Sequence, residues 1–138
     1  ADAVIERSII GEGTEIYGEV HNSVIGAGVT VQKGAVIRDS IIMRDSVVGE
    51  DARITKAVIA EDTTVGPGAE LGVGEYAPST YDPKVYQFDL VTVGEHSVIP
   101  GQVKIGKNTA ISGITSAEDY PDGMLSAGGS IIKAGDVR

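Results

Sequence analysis

The sequence predicts an all-β chain wound as a triangular, parallel-stranded coil, and three observations predict it. The first is spacing. Ile10, Ile16, Val20, Ile25, Val31, Ile37, Ile42, Val48, Ile54, Ile59, Val65 and Leu71 lie 6, 4, 5, 6, 6, 5, 6, 6, 5, 6 and 6 residues apart, and Val93, Ile99, Ile105 and Ile111 resume the pattern in sixes. The second is the company each aliphatic keeps. Four residues on stands a small or β-branched side chain (Thr14, Val29, Ala35, Ser46, Ala52, Thr63, Ala69, Ser97, Val103, Thr109), and three residues on stands Gly13, Gly28, Gly34, Asp45, Asp51, Asp62, Gly68 or Asn108, types that tolerate a left-handed backbone at a turn. The third is composition. Leu71, Leu90 and Leu125 are the only leucines, Trp is absent and there are 19 Gly, so the aliphatic content is β-branched and suits pleated surfaces better than helices.

A fixed short period is the mark of a repeat architecture. Each hexad makes one short strand and one corner, three hexads close a coil of about eighteen residues, and coils stack about 4.8 Å apart through parallel pairing. The five-residue steps Ile5 to Ile10, Val20 to Ile25, Ile37 to Ile42 and Ile54 to Ile59 place one shortened corner at the same point of successive coils, giving 17-residue coils for Ile25 to Ile42 and Ile42 to Ile59. Sixteen inward aliphatics, at about 1.5–3 kcal/mol gross each, supply a core able to offset the ordering entropy of one domain. At 138 residues the chain is read as a single domain, with coils at about 4–71 and 91–114, an inserted loop at 72–92 and a C-terminal cap at 115–138.

The inserted loop carries Tyr76, Tyr81, Tyr86 and Phe88, four of the six aromatic residues. The plain reading is a surface loop folded on the prism wall. The sharper expectation is a loop contacting a partner, because exposed Tyr and Phe build interface cores. After Ile111 the pattern decays through Ser116-Ala117-Glu118-Asp119-Tyr120-Pro121-Asp122-Gly123 into Ser126 to Ile132, read as an irregular or briefly helical link and a last extended segment.

Eleven basic against 20 acidic side chains, a net charge of −9, leaves no electrostatic footprint for nucleic acid or anionic membrane. With no Cys, disulfides and thiolate chemistry are excluded. The start Ala1-Asp2-Ala3-Val4 lacks Met, a basic segment and a long apolar run, so neither a signal peptide nor a membrane span is expected and a piece of a longer protein is.

Two histidines invite a catalytic reading. His21 falls level with Glu6, Arg38 and Thr55 at the shortened corner, and His96 occupies the turn slot three after Val93; both are expected to be corner residues, and no catalytic site is assigned. Two histidines cannot supply a three-histidine zinc site, so no metal site is assigned. The pairs Gly11/Gly13, Gly26/Gly28 and Gly66/Gly68 lack the following helix that phosphate loops need. Residues 17 apart should stack, placing Asp39 beside Lys56, Arg44 beside Glu61 and Arg53 beside Glu70 in solvated ladders.

The six-residue grammar resembles the hexapeptide-repeat left-handed parallel β-helix, and the left hand is taken from that resemblance. Within it, Gly18-Glu19-Val20-His21-Asn22-Ser23-Val24-Ile25, Val36-Ile37-Arg38-Asp39-Ser40-Ile41-Ile42-Met43 and Ala57-Val58-Ile59 resemble the C-terminal domain of bacterial glucose-1-phosphate adenylyltransferase. The likeness is close from Ile5 to Leu71 and looser from Val91 to Ile105. It implies a separate N-terminal nucleotidyltransferase domain using Mg and ATP, packed on this β-helix in a cytoplasmic homo- or hetero-oligomer that makes ADP-glucose for glycogen synthesis. It also implies that the β-helix is a non-catalytic regulatory and assembly domain, sharing a site for a phosphorylated metabolite effector. Where some enterobacterial members place a basic effector contact, this chain carries Glu61, so that effector's specificity does not carry over. Two other readings stand beside this one: a hexapeptide acyltransferase acting on an acyl-CoA through His21 or His96, and a purely structural β-helix of a noncatalytic pyrophosphorylase homologue.

If a phosphorylated effector binds here, elimination points to Lys104, Lys107 and Lys133. The middle coils pair their cations with carboxylates, whereas Lys104 and Lys107 flank Ile105 with no acid near them in sequence, and Lys133 lies in the segment expected to return to that end. Lysines bind phosphate as point charges.

Overall fold

The computed structural model of the chain describes residues 3–74 and 90–133. It is a left-handed parallel β-helix with three flat faces. The first face stacks Val4–Glu6, Glu19–His21, Val36–Arg38, Arg53–Thr55, Glu70–Val73, Lys104–Gly106 and Met124–Leu125 in seven strands. The second stacks Ile9–Ile10, Val24–Ile25, Ile41–Ile42, Ala57–Ile59, Val91–Val93, Thr109–Ser112 and Ser130–Ile132, also seven. The third has five: Glu15–Ile16, Thr30–Val31, Val47–Val48, Thr64–Val65 and Val98–Ile99.

The register follows the hexads. Ile5, Val20, Ile37, Ile54, Leu71, Ile105 and Leu125 form one inward column, each the strand partner of the next. The sixteen aliphatics of the repeat are buried except Ile10 and Ile16, which are partly buried in the first coil. The turn slots behave as their residue types require. Gly13, Gly28, Gly34, Asp45, Asp51, Asp62, Gly68 and Asn108 all have positive φ, and so do His96 and Gln102 in the equivalent positions.

Three local departures have physical causes. The four-residue step from Ile16 to Val20 works because Gly18 tucks under the next coil, where a Cβ would run into the carbonyl oxygen of Ala35. The shortened corner turns through Arg7, Asn22, Asp39 and Lys56, at φ 46 to 53°, a column in which only Asn and Asp announce the left-handed backbone. The third face has five strands among the described residues; beyond them Ile114 adds only an isolated parallel bridge to Val98, and the chain then forms 3-10 turns at Ala117–Asp119 and Pro121–Gly123. Between those turns Tyr120 swings into the bore, 2% exposed, with its hydroxyl 2.8 Å from Thr115 Oγ1.

The inserted loop leaves at that shortened corner. Strand pairing continues to Val73 and resumes at Val91, so the excursion is shorter at both ends than 72–92. Beyond it, Met124–Leu125 pairs with Lys104 and Ile105, and Ser130–Ile132 with Thr109–Ser112; the cap is therefore largely a further coil.

Buried hydroxyls close two of the three corner columns. Ser23 N–H donates to Ser8 Oγ (3.1 Å), Ser40 N–H to Ser23 Oγ (3.0 Å) and Ala57 N–H to Ser40 Oγ (3.0 Å). Each serine hydroxyl donates in turn to the carbonyl two residues before it, Glu6, His21 or Arg38. On the next edge Ser46, Thr63 and Ser97 relay in the same way to Gly113. Where the chain bends off the strand line, an N–H cannot reach the carbonyl below it, and the hydroxyl supplies the missing acceptor. Ser40→Ala should therefore strand a buried N–H and lower unfolding free energy by about 1–3 kcal/mol; urea denaturation checks this, and a loss within error of zero would show that the ladder is not stabilising.

Candidate functional site

The structure sets both singled-out histidines at edges of the prism. His21 ends its strand in the column Glu6, His21, Arg38, Thr55, as the spacing places it. It is not a freely exposed corner residue, however. Its side chain is 15% exposed, with Nδ1 2.8 Å from Glu6 Oε1 and Nε2 3.0 Å from Glu19 Oε1. Hydrogen bonds to Glu19 and then to Glu6 raise its pKa above the ordinary histidine value, against partial burial and the Arg38 charge. Glu6, Arg7, His21, Asn22, Arg38 and Asp39 line a shallow cleft of about 210 Å³.

His96 lies on the next edge, in the turn column of Asp45 and Asp62, with φ 55°. Its Nδ1 is 2.8 Å from Asp62 Oδ2 and both side chains are mostly exposed. The two histidines are thus on different edges, each facing carboxylates, and neither ring nitrogen is hydrogen-bonded to a hydroxyl among the described residues. Among those residues no group of three His, Asp or Glu side chains converges to hold a metal ion.

The charge ladder takes partial shape. Arg44 Nε lies 3.2 Å from Glu61 Oε2, as the 17-residue stacking predicts. Arg53 and Glu70 are strand partners in register, and Asp39 and Lys56 occupy the same corner of successive coils. Asp39 Oδ1 accepts from Asn22 Nδ2 at 2.7 Å.

The three lysines do not converge as drawn. Lys104 is exposed on the first face, with Glu70 as its strand partner. Lys107 is half-buried at the following corner, beneath Gly128. Lys133 stacks beyond Ser112 at the far end of the second face, a strand length or about 13 Å from that corner. The premise that Lys133 lacks a carboxylate partner is corrected. Its Nζ lies 3.0 and 3.1 Å from the two oxygens of Asp119, because the 3-10 turn carries that carboxylate back against the last coil. Tyr76, Tyr81, Tyr86 and Phe88 lie outside the described residues.

Sequence reasoning missed the Asp119–Lys133 pair and the Tyr120 plug. The signal present in the sequence was Ser116 followed three residues later by Asp119, a short capping box, which the structure forms: Asp119 Oδ2 accepts from Ser116 N–H at 2.9 Å. That backbone hydrogen bond, and then Lys133, hold the Asp119 carboxyl below the usual carboxylate range. A depressed carboxyl stabilises the fold above its unfolded value of about 3.9 and loses that contribution as pH falls through the folded value. Amide protection of Asp119 and Tyr120 should therefore decline on acidification below about pH 4, and Asp119→Asn should remove that pH dependence while lowering protection at neutral pH; hydrogen exchange followed by NMR reads both.

Residues 1–88 match the family described as GlmU-like, C-terminal hexapeptide. Among curated proteins, the chain is 63% identical over 98% of its length to a glucose-1-phosphate adenylyltransferase of Lachnospira eligens, and 41% identical over 97% of its length to one of Acetivibrio thermocellus. It spans about a third (32%) of the length of either relative. Among solved structures, the acetyltransferase domain of PglB from Neisseria gonorrhoeae aligns with 91% of the chain and 52% of its own, at a TM-score of 0.57 and 19% identity, a likeness of fold.

Proposed function

The chain belongs to the GlmU-like, C-terminal hexapeptide family, and on that footing we propose that it is the regulatory and assembly β-helix of a glucose-1-phosphate adenylyltransferase. The observation that carries the proposal is the 63% identity to such an enzyme over 135 residues, nearly the whole chain. The parent protein would make ADP-glucose from ATP and glucose 1-phosphate in the cytoplasm, with Mg and ATP held by a separate catalytic domain. Among the described residues no group of three acidic side chains comes together, and this reading places the chemistry of the reaction in the separate domain.

The assembly role is supported by the second face. Ile9, Val24, Ile41 and Val58 are strand partners in successive coils and point outward, and Ile9, Val24 and Ile41 are 69, 40 and 41% exposed. Four aliphatics in line on a flat sheet form a contact surface for another subunit or for the catalytic domain. The corresponding outward column of the first face runs Val4, Glu19, Val36, Arg53, Glu70, Lys104 and Met124, and so places four charged side chains among three apolar ones. For the regulatory role, Lys104 and Lys107 remain the cationic positions proposed to meet a phosphorylated effector, with Lys133 committed to Asp119.

The test uses the full-length protein. It should form ADP-glucose, and an Ile41→Asp variant should keep basal turnover while shifting to a smaller assembly by light scattering; the 138-residue chain alone should turn over neither those substrates nor acetyl-CoA. Absence of ADP-glucose synthesis by the full-length protein, or acetyl transfer by the chain that is lost in His96→Ala, would overturn the reading.

A further inference from the structure

Among the described residues the first coil is less buried than the inner coils. Its inward residue Ile5 is 48% exposed, whereas its column neighbours Val20 and Ile37 are fully buried. Its strand Val4–Glu6 is paired on one side, through Val4↔Glu19, Ile5↔Val20 and Glu6↔His21. Apolar burial therefore grips this strand weakly. A side-chain contact crosses the same gap: His21 bridges Glu6 of the first coil and Glu19 of its own.

The chemistry of that bridge fixes its protonation state. Ionised carboxylates are acceptors only, and a neutral imidazole has one N–H. Both ring nitrogens stand at hydrogen-bond distance from a carboxylate oxygen, 2.8 and 3.0 Å. Both must therefore donate, so the ring is an imidazolium when the two contacts are made. We propose that His21 is a proton-operated latch, whose imidazolium ties the strand Val4–Glu6 to the second coil through Glu6 and Glu19 and whose deprotonation lets that strand detach.

The charged groups around the ring are few and their effects are assignable. Glu6 faces it from the first coil and Glu19 from its own strand; both favour the cation. Arg38, its strand partner in the third coil, opposes it. Arg7 and Asp39 line the cleft from the corners of the first and third coils, and Asp39 is engaged by Asn22. When the proton leaves, at most one of the two hydrogen bonds survives, and Glu6 and Glu19 face each other without a cation between them. The direction follows from linkage. A histidine whose folded pKa is raised contributes fully below its unfolded value of about 6.5 and loses that contribution as pH climbs through the folded value. Opening of the first strand would uncover the backbone edge of Glu19–His21, a pairing surface for another strand.

Two independent measurements on the 138-residue chain must agree. NMR titration of the His21 ring should give a pKa above 6.5. Amide exchange at Val4 and Asn22, whose N–H groups bond Gly18 and Glu6 across the first gap, should show an opening constant that rises with pH, after correction for intrinsic exchange. The total rise should be about tenfold per unit of raised pKa, with the amides of Gly26 and Val36 unaffected. His21→Gln should abolish the pH dependence. Glu6→Gln, which keeps the histidine and the shape of the contact, should lower the His21 pKa and shrink the rise by the matching factor. Titration at or below 6.5, or an unchanged exchange profile in either variant, overturns the latch.

Discussion

Each coil of this protein is hydrogen-bonded to the next at equivalent residues, and the rest of the structure depends on that stacking. In the strands the bond is direct, as in Gly26 N–H to the Ile42 carbonyl at 2.8 Å. At two corners it passes through a buried hydroxyl, from Ser8 to Ala57 on one edge and from Ser46 to Gly113 on the next. Backbone donors buried without a partner are costly, so a corner that could not stack would forfeit much of what its strands gain. The serine column ends at Ala57, which offers no acceptor hydroxyl, and there Val91 N–H turns instead to the Lys56 carbonyl at 2.9 Å. That is the first coil to follow the inserted loop, so the change of corner chemistry and the break in the repeat coincide.

Stacking also explains why the core could be read from sequence while the candidate site could be read only in part. Because equivalent residues superpose, one hexad defines the environment of its whole column, and Ile37 or Ile54 is placed by periodicity alone. The turn slots are legible for the same reason, since Asp45, Asp51 and Asp62 share one backbone conformation. What stayed hidden depends on neighbours that periodicity does not supply. Tyr120 enters the bore where the third face has ended, and Lys133 meets Asp119 across a 3-10 turn that no repeat predicts. The position of His21 was legible to the residue. Its grip was not, because Glu19 is two residues away along the strand and Glu6 fifteen away across it, and only the direction of the side chains brings both to the ring.

A bore filled by stacked aliphatics has no room for a substrate, so what this β-helix does must be done by its outward columns, its edges or its ends. Those columns differ sharply. The second face carries Ile9, Val24, Ile41 and Val58 in unbroken succession, while the corresponding column of the first mixes Glu19, Arg53, Glu70 and Lys104 with Val4, Val36 and Met124. A flat aliphatic stripe suits a large, permanent contact, and a charged one suits water or a ligand. Outward columns can change without disturbing the bore, so one fold can serve proteins of unlike chemistry.

Among the described residues the first and last coils are paired on one side. An inner coil has two neighbours and an end coil one, so in a linear repeat the terminal units are the least stable and need other means of attachment. Here both ends use charge. The first coil is tied by the His21 imidazolium to two carboxylates, and the last by the Lys133 ammonium to the Asp119 carboxylate. Their responses to pH are opposite in sign. The raised histidine loosens its end as pH rises, and the depressed aspartate loosens its end as pH falls. The middle coils rest on apolar burial that does not titrate, so these two responses belong to the first coil and to the Asp119 turn, and the aspartate's is confined to acid conditions below about pH 4.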